Sequence, residues 1–131
     1  MRLIAGDPNI TVLLDVGALM LDYSNAELAL CWLGLQAGAK AAVFFLDDEI
    51  SIMSRDGSVE LFASSSYSQC LSECLVYLGD EHTRGTDLKL PHDARAAVML
   101  GSKVTKDRLV QGRRYLHASL RCLSNLNYNY L

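Results

Sequence analysis

Apolar residues fall in short blocks divided by polar turns, and most blocks have the length of strands. "ITVLLDVG" (10–17) is a β-branched run closed by glycine, and "AAVFFL" (41–46), "CLVYL" (74–78) and "RAAVML" (95–100) are similar uninterrupted runs; each predicts a buried strand. "ISIMSRDGSVELF" (50–62) alternates on both sides of Asp56-Gly57, which predicts a hairpin. "SNAELALCWLGLQAGA" (24–39) has helical spacing: Ser24 and Glu27 form a capping-box pair, Leu28, Cys31, Trp32 and Leu35 share one face, and Gly38 is placed to stop the helix. A second helix is expected from Thr105, its N-cap, through "TKDRLVQGRRYLHASLRCL". "ASSSYSQ" (63–69) reads as a small polar connector, and "SNLNYNYL" (124–131) carries no pattern.

Apolar strands alternating with helices predict one α/β domain over residues 1–131: a mostly parallel sheet flanked by helices, with an inserted β-hairpin and an incomplete look. The length of 131 residues suits a single core, and 50% apolar with 21% charged residues is globular composition. The net charge of −3 comes from interspersed signs, with one basic stretch near the C-terminus. It makes no general case for nucleic-acid or membrane binding. Cys31, Cys70, Cys74 and Cys122 lie in apolar contexts without CxxC spacing, so reduced, mostly buried thiols are expected rather than disulfides or a zinc site. No apolar run approaches the roughly 20 residues of a membrane span. The expectation is an intracellular, cytoplasmic protein.

The densest chemistry is in "CLVYLGDEHTRGTDLKLP" (74–91). Ligands of open α/β sheets gather beyond the carboxyl ends of the strands, which is where the loop from Gly79 to Asp87 should lie. Asp80, Glu81 and His82 are its candidate acid–base residues, Cys74 is the nearest thiol, and Gly79 and Gly85 offer tight backbone conformations. A thiol protease needs cysteine and histidine within about 3 Å. Cys74 and His82, eight residues apart, would be separated by about 26 Å if extended, so the chain would have to double back at Gly79. An acidic box such as Asp80-Glu81-His82 suits Mg²⁺-nucleotide chemistry, but no GxxxxGK[ST] loop is present to hold phosphate. "DDE" (47–49) also follows an apolar strand and could sit at a sheet's carboxyl edge, although such a loop charge cluster is usually just solubilising. His92, after Pro91, reads as a solvated turn residue, His117 as part of a basic surface face, and Trp32 as core.

The order apolar strand, polar loop, "RGTD", strand resembles motif V of superfamily 2 helicases, closest to the form in the bacterial protein-translocation ATPase. There the loop lies between two RecA-like domains and couples nucleotide state to the bound polymer. The matching positions are Arg84, Gly85, Thr86 and Asp87. More broadly, "DVGALMLDYSNAELALCWL", "AAVFFLDDEISIMSRDGSVELF", "CLVYLGDEHTRGTDLKLP" and "RAAVMLGSKVTKDRLVQ" resemble the C-terminal part of very large fungal proteins catalogued as ubiquitinyl hydrolases. The likeness covers about residues 11–111, and "HTRGTDLKLP" is its most specific element.

The resemblance implies thiol-dependent deubiquitination, with ubiquitin or a ubiquitinated protein as partner. It also implies an upstream segment resembling a phosphate-binding loop, so ATP and Mg²⁺ would bind only together with that partner domain, and this chain alone is expected to hold no cofactor or metal. Two features depart from the family pattern. Gly79 occupies the first acidic place, which moves the pair to Asp80-Glu81, and from Gly112 onward the sequence no longer follows the family. Arg113 and Arg114 then read either as substitutes for an arginine finger or, with more weight, as a solvated helix face. Three readings remain open: a fragment of a ubiquitin-specific thiol hydrolase, which the family label favours; a second RecA-like domain, which the residues favour as mechanism; and a non-catalytic binding or remnant domain. The unaligned tail also suggests a truncated gene.

Overall fold

The computed structural model describes residues 7–15, 22–82 and 88–99. They form a mixed α/β sheet of six strands: β1 (Ile10–Asp15), β2 (Ala41–Leu46), β3 (Glu49–Ser54), β4 (Val59–Leu61), β5 (Cys74–Gly79) and β6 (Arg95–Met99). Their order across the sheet is β4-β3-β2-β5-β1-β6. β2, β5, β1 and β6 pair in parallel, while β3 and β4 extend the β2 side antiparallel. The parallel part is buried on both faces, which explains its uninterrupted apolar runs. The hairpin predicted at Asp56-Gly57 is the β3–β4 connection, with Gly57 at φ 85°.

A second hairpin was not foreseen from the sequence. β2 and β3 pair antiparallel across Asp47 and Asp48, whose φ values are 49° and 63°. Two consecutive left-handed residues make the tight turn that matches strand twist, and aspartate tolerates it better than most residues. The "DDE" acids are therefore turn residues as well as surface charges.

The helix α1 (Asn25–Leu35) carries the expected capping box: Ser24 Oγ accepts from the Glu27 backbone N–H, and the Glu27 carboxylate accepts from the Ser24 N–H at 2.8 Å. Its buried face differs from the one predicted. Leu28, Ala29, Trp32 and Leu33 point into the sheet, whereas Cys31 and Leu35 are exposed. Apolar residues occur all round this helix, so spacing alone could not select its inner face. Gln36, the C-cap residue, is buried and donates from Nε2 to the Asp7 carbonyl at 3.0 Å. The helix ends without a basic residue in its last turn, and Arg55 from the β3–β4 turn supplies one. Its guanidinium donates to the carbonyls of Gln36 and of Ala39, the latter at 2.8 Å.

The two sheet faces make two cores. On the α1 face, Leu13, Phe44, Leu75 and Tyr77 lie beneath Leu28, Trp32 and Leu33. On the other face, Val12, Val43, Val76 and Leu78 are covered by Phe62, Tyr67 and Leu71 from the connector, together with Leu88 and Leu90. The connector itself folds into three short 3₁₀ turns, Phe62–Ser64, Ser66–Gln69 and Leu71–Glu73. Among the described residues α1 is the one α-helix; the expected helix from Thr105 lies outside them.

Candidate functional site

β1, β5 and β6 end level with one another: Asp15 pairs with Gly79 on one side and with Met99 on the other. The chain leaves β1 for α1 and β2 on one side, and leaves β5 for β6 on the opposite side of β1. Neighbouring strands whose connections diverge leave a crevice beyond their carboxyl ends, the usual ligand position in open α/β sheets. The loop that follows Gly79 starts at this crevice.

Two side chains line up there on the α1 face. Asp15 is 2% exposed, and the Tyr77 hydroxyl donates to its carboxylate. Burial first, then the negative charge and hydrogen bond of Asp15, then the charge of Glu81, push the Tyr77 hydroxyl far above its ordinary acidity range. Tyr77 is thus held as a protonated donor. Neither residue stood out in the sequence, although Asp15 is the sole ionisable group in "ITVLLDVG".

Beyond β5, Asp80, Glu81 and His82 form one 3₁₀ turn. The His82 imidazole stacks on Phe45, with centroids 3.9 Å apart and planes 7° from parallel. Its Nε2 lies 3.0 Å from Asp48 Oδ1, and its Nδ1 lies 3.5 Å from Glu81 Oε1. His82 is therefore braced against the end of β2 and the β2–β3 turn, with its side chain 13% exposed. The two acidic clusters seen in the sequence, 47–49 and 80–81, do meet at one sheet edge, and His82 joins them. Among the described residues, no group of three or more His, Cys, Asp or Glu is arranged to hold a metal ion.

Cys74 is at the other end of the same strand. β5 runs extended from Cys74 to Gly79, a rise of about 16 Å, and does not double back. Gly79 has no left-handed φ, and a Cβ there would find room, 3.9 Å from Tyr77 Oη. The Cys74 thiol is buried, donates weakly to the Cys70 carbonyl at 3.7 Å, and has its pKa pushed up to about 11 by burial, then by the charge of Glu73. A recess of about 160 Å³ beside it is bordered by Gln36, Ala39 and Glu73 and includes no histidine. The structure brings Asp80, Glu81 and His82 into one turn and leaves Cys74 apart from them.

Cys31 and Cys70 are exposed and all three described cysteines are free, so the expected burial holds for Cys74 alone of the three. His92 is an exposed turn residue. Arg84, Gly85, Thr86 and Asp87, like Arg113, Arg114, His117 and Cys122, lie outside the described residues. Leu88, the residue after this stretch, packs on the second core, so the stretch is flanked by two anchored points. No helix among the described residues is long and apolar enough to cross a membrane. Comparison of the chain with protein-family profiles, with curated proteins and with solved structures finds no match.

Proposed function

We propose that this chain acts as a RecA-like coupling domain, the second of a pair in a helicase-like ATPase, and not as the thiol-bearing centre of a ubiquitin hydrolase. The observation that carries the reading is the position of the ionisable loop. It starts at the carboxyl-edge crevice between β1 and β5, while the thiol nearest in sequence is buried at the opposite edge with a raised pKa. A thiolate nucleophile requires the reverse on each count: a lowered pKa and a histidine in reach.

In this reading Arg84, Gly85, Thr86 and Asp87 meet nucleotide and polymer at a cleft completed by a second domain bearing a phosphate loop. His82, fixed on Phe45 and Asp48, holds the near end of that loop, and Leu88 holds the far end. The likeness to the fungal ubiquitinyl hydrolases is compatible with this role, since that resemblance implies both an upstream segment resembling a phosphate-binding loop and a protease label. The chain would then be the motor-like portion of such a protein, and ubiquitin would be engaged elsewhere.

The test mixes the chain with a separately purified phosphate-loop domain from a protein of that group and follows ATP hydrolysis. Hydrolysis is expected to rise at least tenfold, roughly, on mixing, and to fall back when Arg84→Ala is used, as an arginine that stabilises phosphoryl transfer requires. No rise on mixing, or equal activity from the Arg84→Ala chain, would refute the proposal.

A further inference from the structure

On one side the sheet runs past its helix. α1 rests on β2 and β5 and touches β3, and β4 lies one strand further out, as an edge of the sheet. Met53 belongs to the core on the α1 face, and Val59, directly opposite it across the β3–β4 pair, shares that face. Leu61, two residues on, does the same. Leu46, two residues after the core residue Phe44, ends β2 on this face as well. All three are exposed, Leu46 by 42%, Val59 by 43% and Leu61 by 50%. An edge strand with exposed apolar side chains is a template for pairing with another chain.

The backbone of β4 is open in the same direction. The Ser54 N–H donates to the Ser58 carbonyl at 3.0 Å, so these opposed residues form a hydrogen-bonded pair. Such pairs alternate in an antiparallel ladder. Glu60 with Ile52 is therefore the next one, and Val59 and Leu61 turn their N–H and C=O groups away from β3. The Leu61 carbonyl accepts from Ser64 Oγ at 3.1 Å, which leaves the Val59 N–H and C=O and the Leu61 N–H facing outward. Edge strands are commonly guarded by proline, lysine or a bulge; β4 reads Val-Glu-Leu in unbroken register and has none of these. Its one charge, Glu60, lies on the face opposite Val59 and Leu61. Glu60 is exposed and makes no ion pair among the described residues. Arg55, the one cation of the hairpin, is committed to the carbonyls of Gln36 and Ala39.

We propose that β4 accepts an added strand from a partner protein, an extended segment that reads apolar–basic–apolar. The register sets this chemistry. Val59 and Leu61 form the hydrogen-bonded pairs with the incoming strand, and the residue opposite Glu60 takes the closer, non-hydrogen-bonded position. A Lys or Arg there meets the unpaired carboxylate, and the apolar residues on either side of it lie beside Val59 and Leu61. A second copy of this chain lacks that complementarity. In the register that pairs the whole of β4 with itself, the two Glu60 carboxylates lie directly opposite each other, a destabilising like-charge pair. With three residues in β4, the pairing is weak and reversible. The inference rests on the hairpin alone and does not depend on the coupling role proposed above.

The experiment titrates the whole, isotope-labelled chain with two extended peptides, Thr-Val-Arg-Val-Thr and Thr-Val-Glu-Val-Thr, and follows backbone amides by NMR. The arginine peptide is expected to shift the Val59, Glu60 and Leu61 amides and to slow hydrogen exchange at Val59 and Leu61. The glutamate peptide should bind about tenfold more weakly, as exchange of an attractive cross-strand charge pair for a repulsive one requires, and Glu60→Lys should reverse the order. Val59→Pro removes an outward N–H and leaves the ladder to β3 in place. It should weaken the arginine peptide severalfold while the amides of β1 and β5 keep their positions. No shift at β4 with the arginine peptide, or equal affinity for the two peptides, would overturn the proposal. So would shifts of the same amides when the chain alone is diluted, because those would assign the edge to a second copy.

Discussion

His82 and Asp48, 34 residues apart in sequence, meet at 3.0 Å, and Phe45 provides the surface on which the imidazole lies. Asp48 is 93% exposed, so the charge contact itself should contribute little and the stacking more. His82→Ala is expected to cost about 1–2 kcal/mol, and Asp48→Asn, which tolerates the left-handed turn, less than about 0.5 kcal/mol. Urea unfolding of the two variants measures both. Cys74 gives a second prediction at this scale. With its pKa near 11 rather than 9.0, it should carry about a hundredfold less thiolate than an ordinary thiol at neutral pH, and alkylation should reach it last. Because the folded state holds the proton more tightly than the unfolded one, this contribution to stability is full below pH 9 and is lost as pH rises towards 11. Cys74→Ala should flatten that alkaline decline in a series of unfolding curves. Raised Tyr77 acts in the same direction, so some slope should persist.

At the scale of elements, α1 is held at both ends by side chains, one local and one distant. Ser24→Ala removes the cap and should cost about 1 kcal/mol. Arg55→Ala leaves the carbonyls of Gln36 and Ala39 without their charged donor and should cost about 1–3 kcal/mol, measurable as a shift in thermal midpoint. The Ser24 cap was legible because a capping box is written within four residues. The Arg55 contact was not, since it links a hairpin turn to a helix end through the fold. The same distinction explains the strands. Each apolar run announced itself, but the Asp47-Asp48 turn did not, because aspartate reads first as a surface charge and only second as a residue that accepts positive φ. The inner face of α1 differs from the predicted one for a related reason: Cys31 and Leu35 are as apolar as Ala29 and Leu33, so spacing alone does not choose between them.

For the molecule as a whole, the sheet order separates the candidate chemistry into two edges. The carboxyl edge gathers Asp15, Tyr77, Glu81 and His82, and the amino edge keeps Cys74 with Glu73 and Lys40, an ion pair of 2.8 Å. Strand direction enforces this, because a residue that begins β5 and one that follows its end cannot meet while the strand stays extended. The sequence allowed the separation to be estimated, but the partners of His82 come from β2 and the β2–β3 turn and were not legible in it. The proposed role places the working residues at the carboxyl edge, and none of the three described cysteines, Cys31, Cys70 and Cys74, is paired there with His82. Incubation of the folded chain with ubiquitin bearing a C-terminal electrophile, followed by mapping of adducts by mass spectrometry, tests it most directly. The account predicts no adduct on Cys74 and no change in labelling of any cysteine when His82 is replaced by alanine. An adduct on Cys74 that disappears in His82→Ala would contradict it.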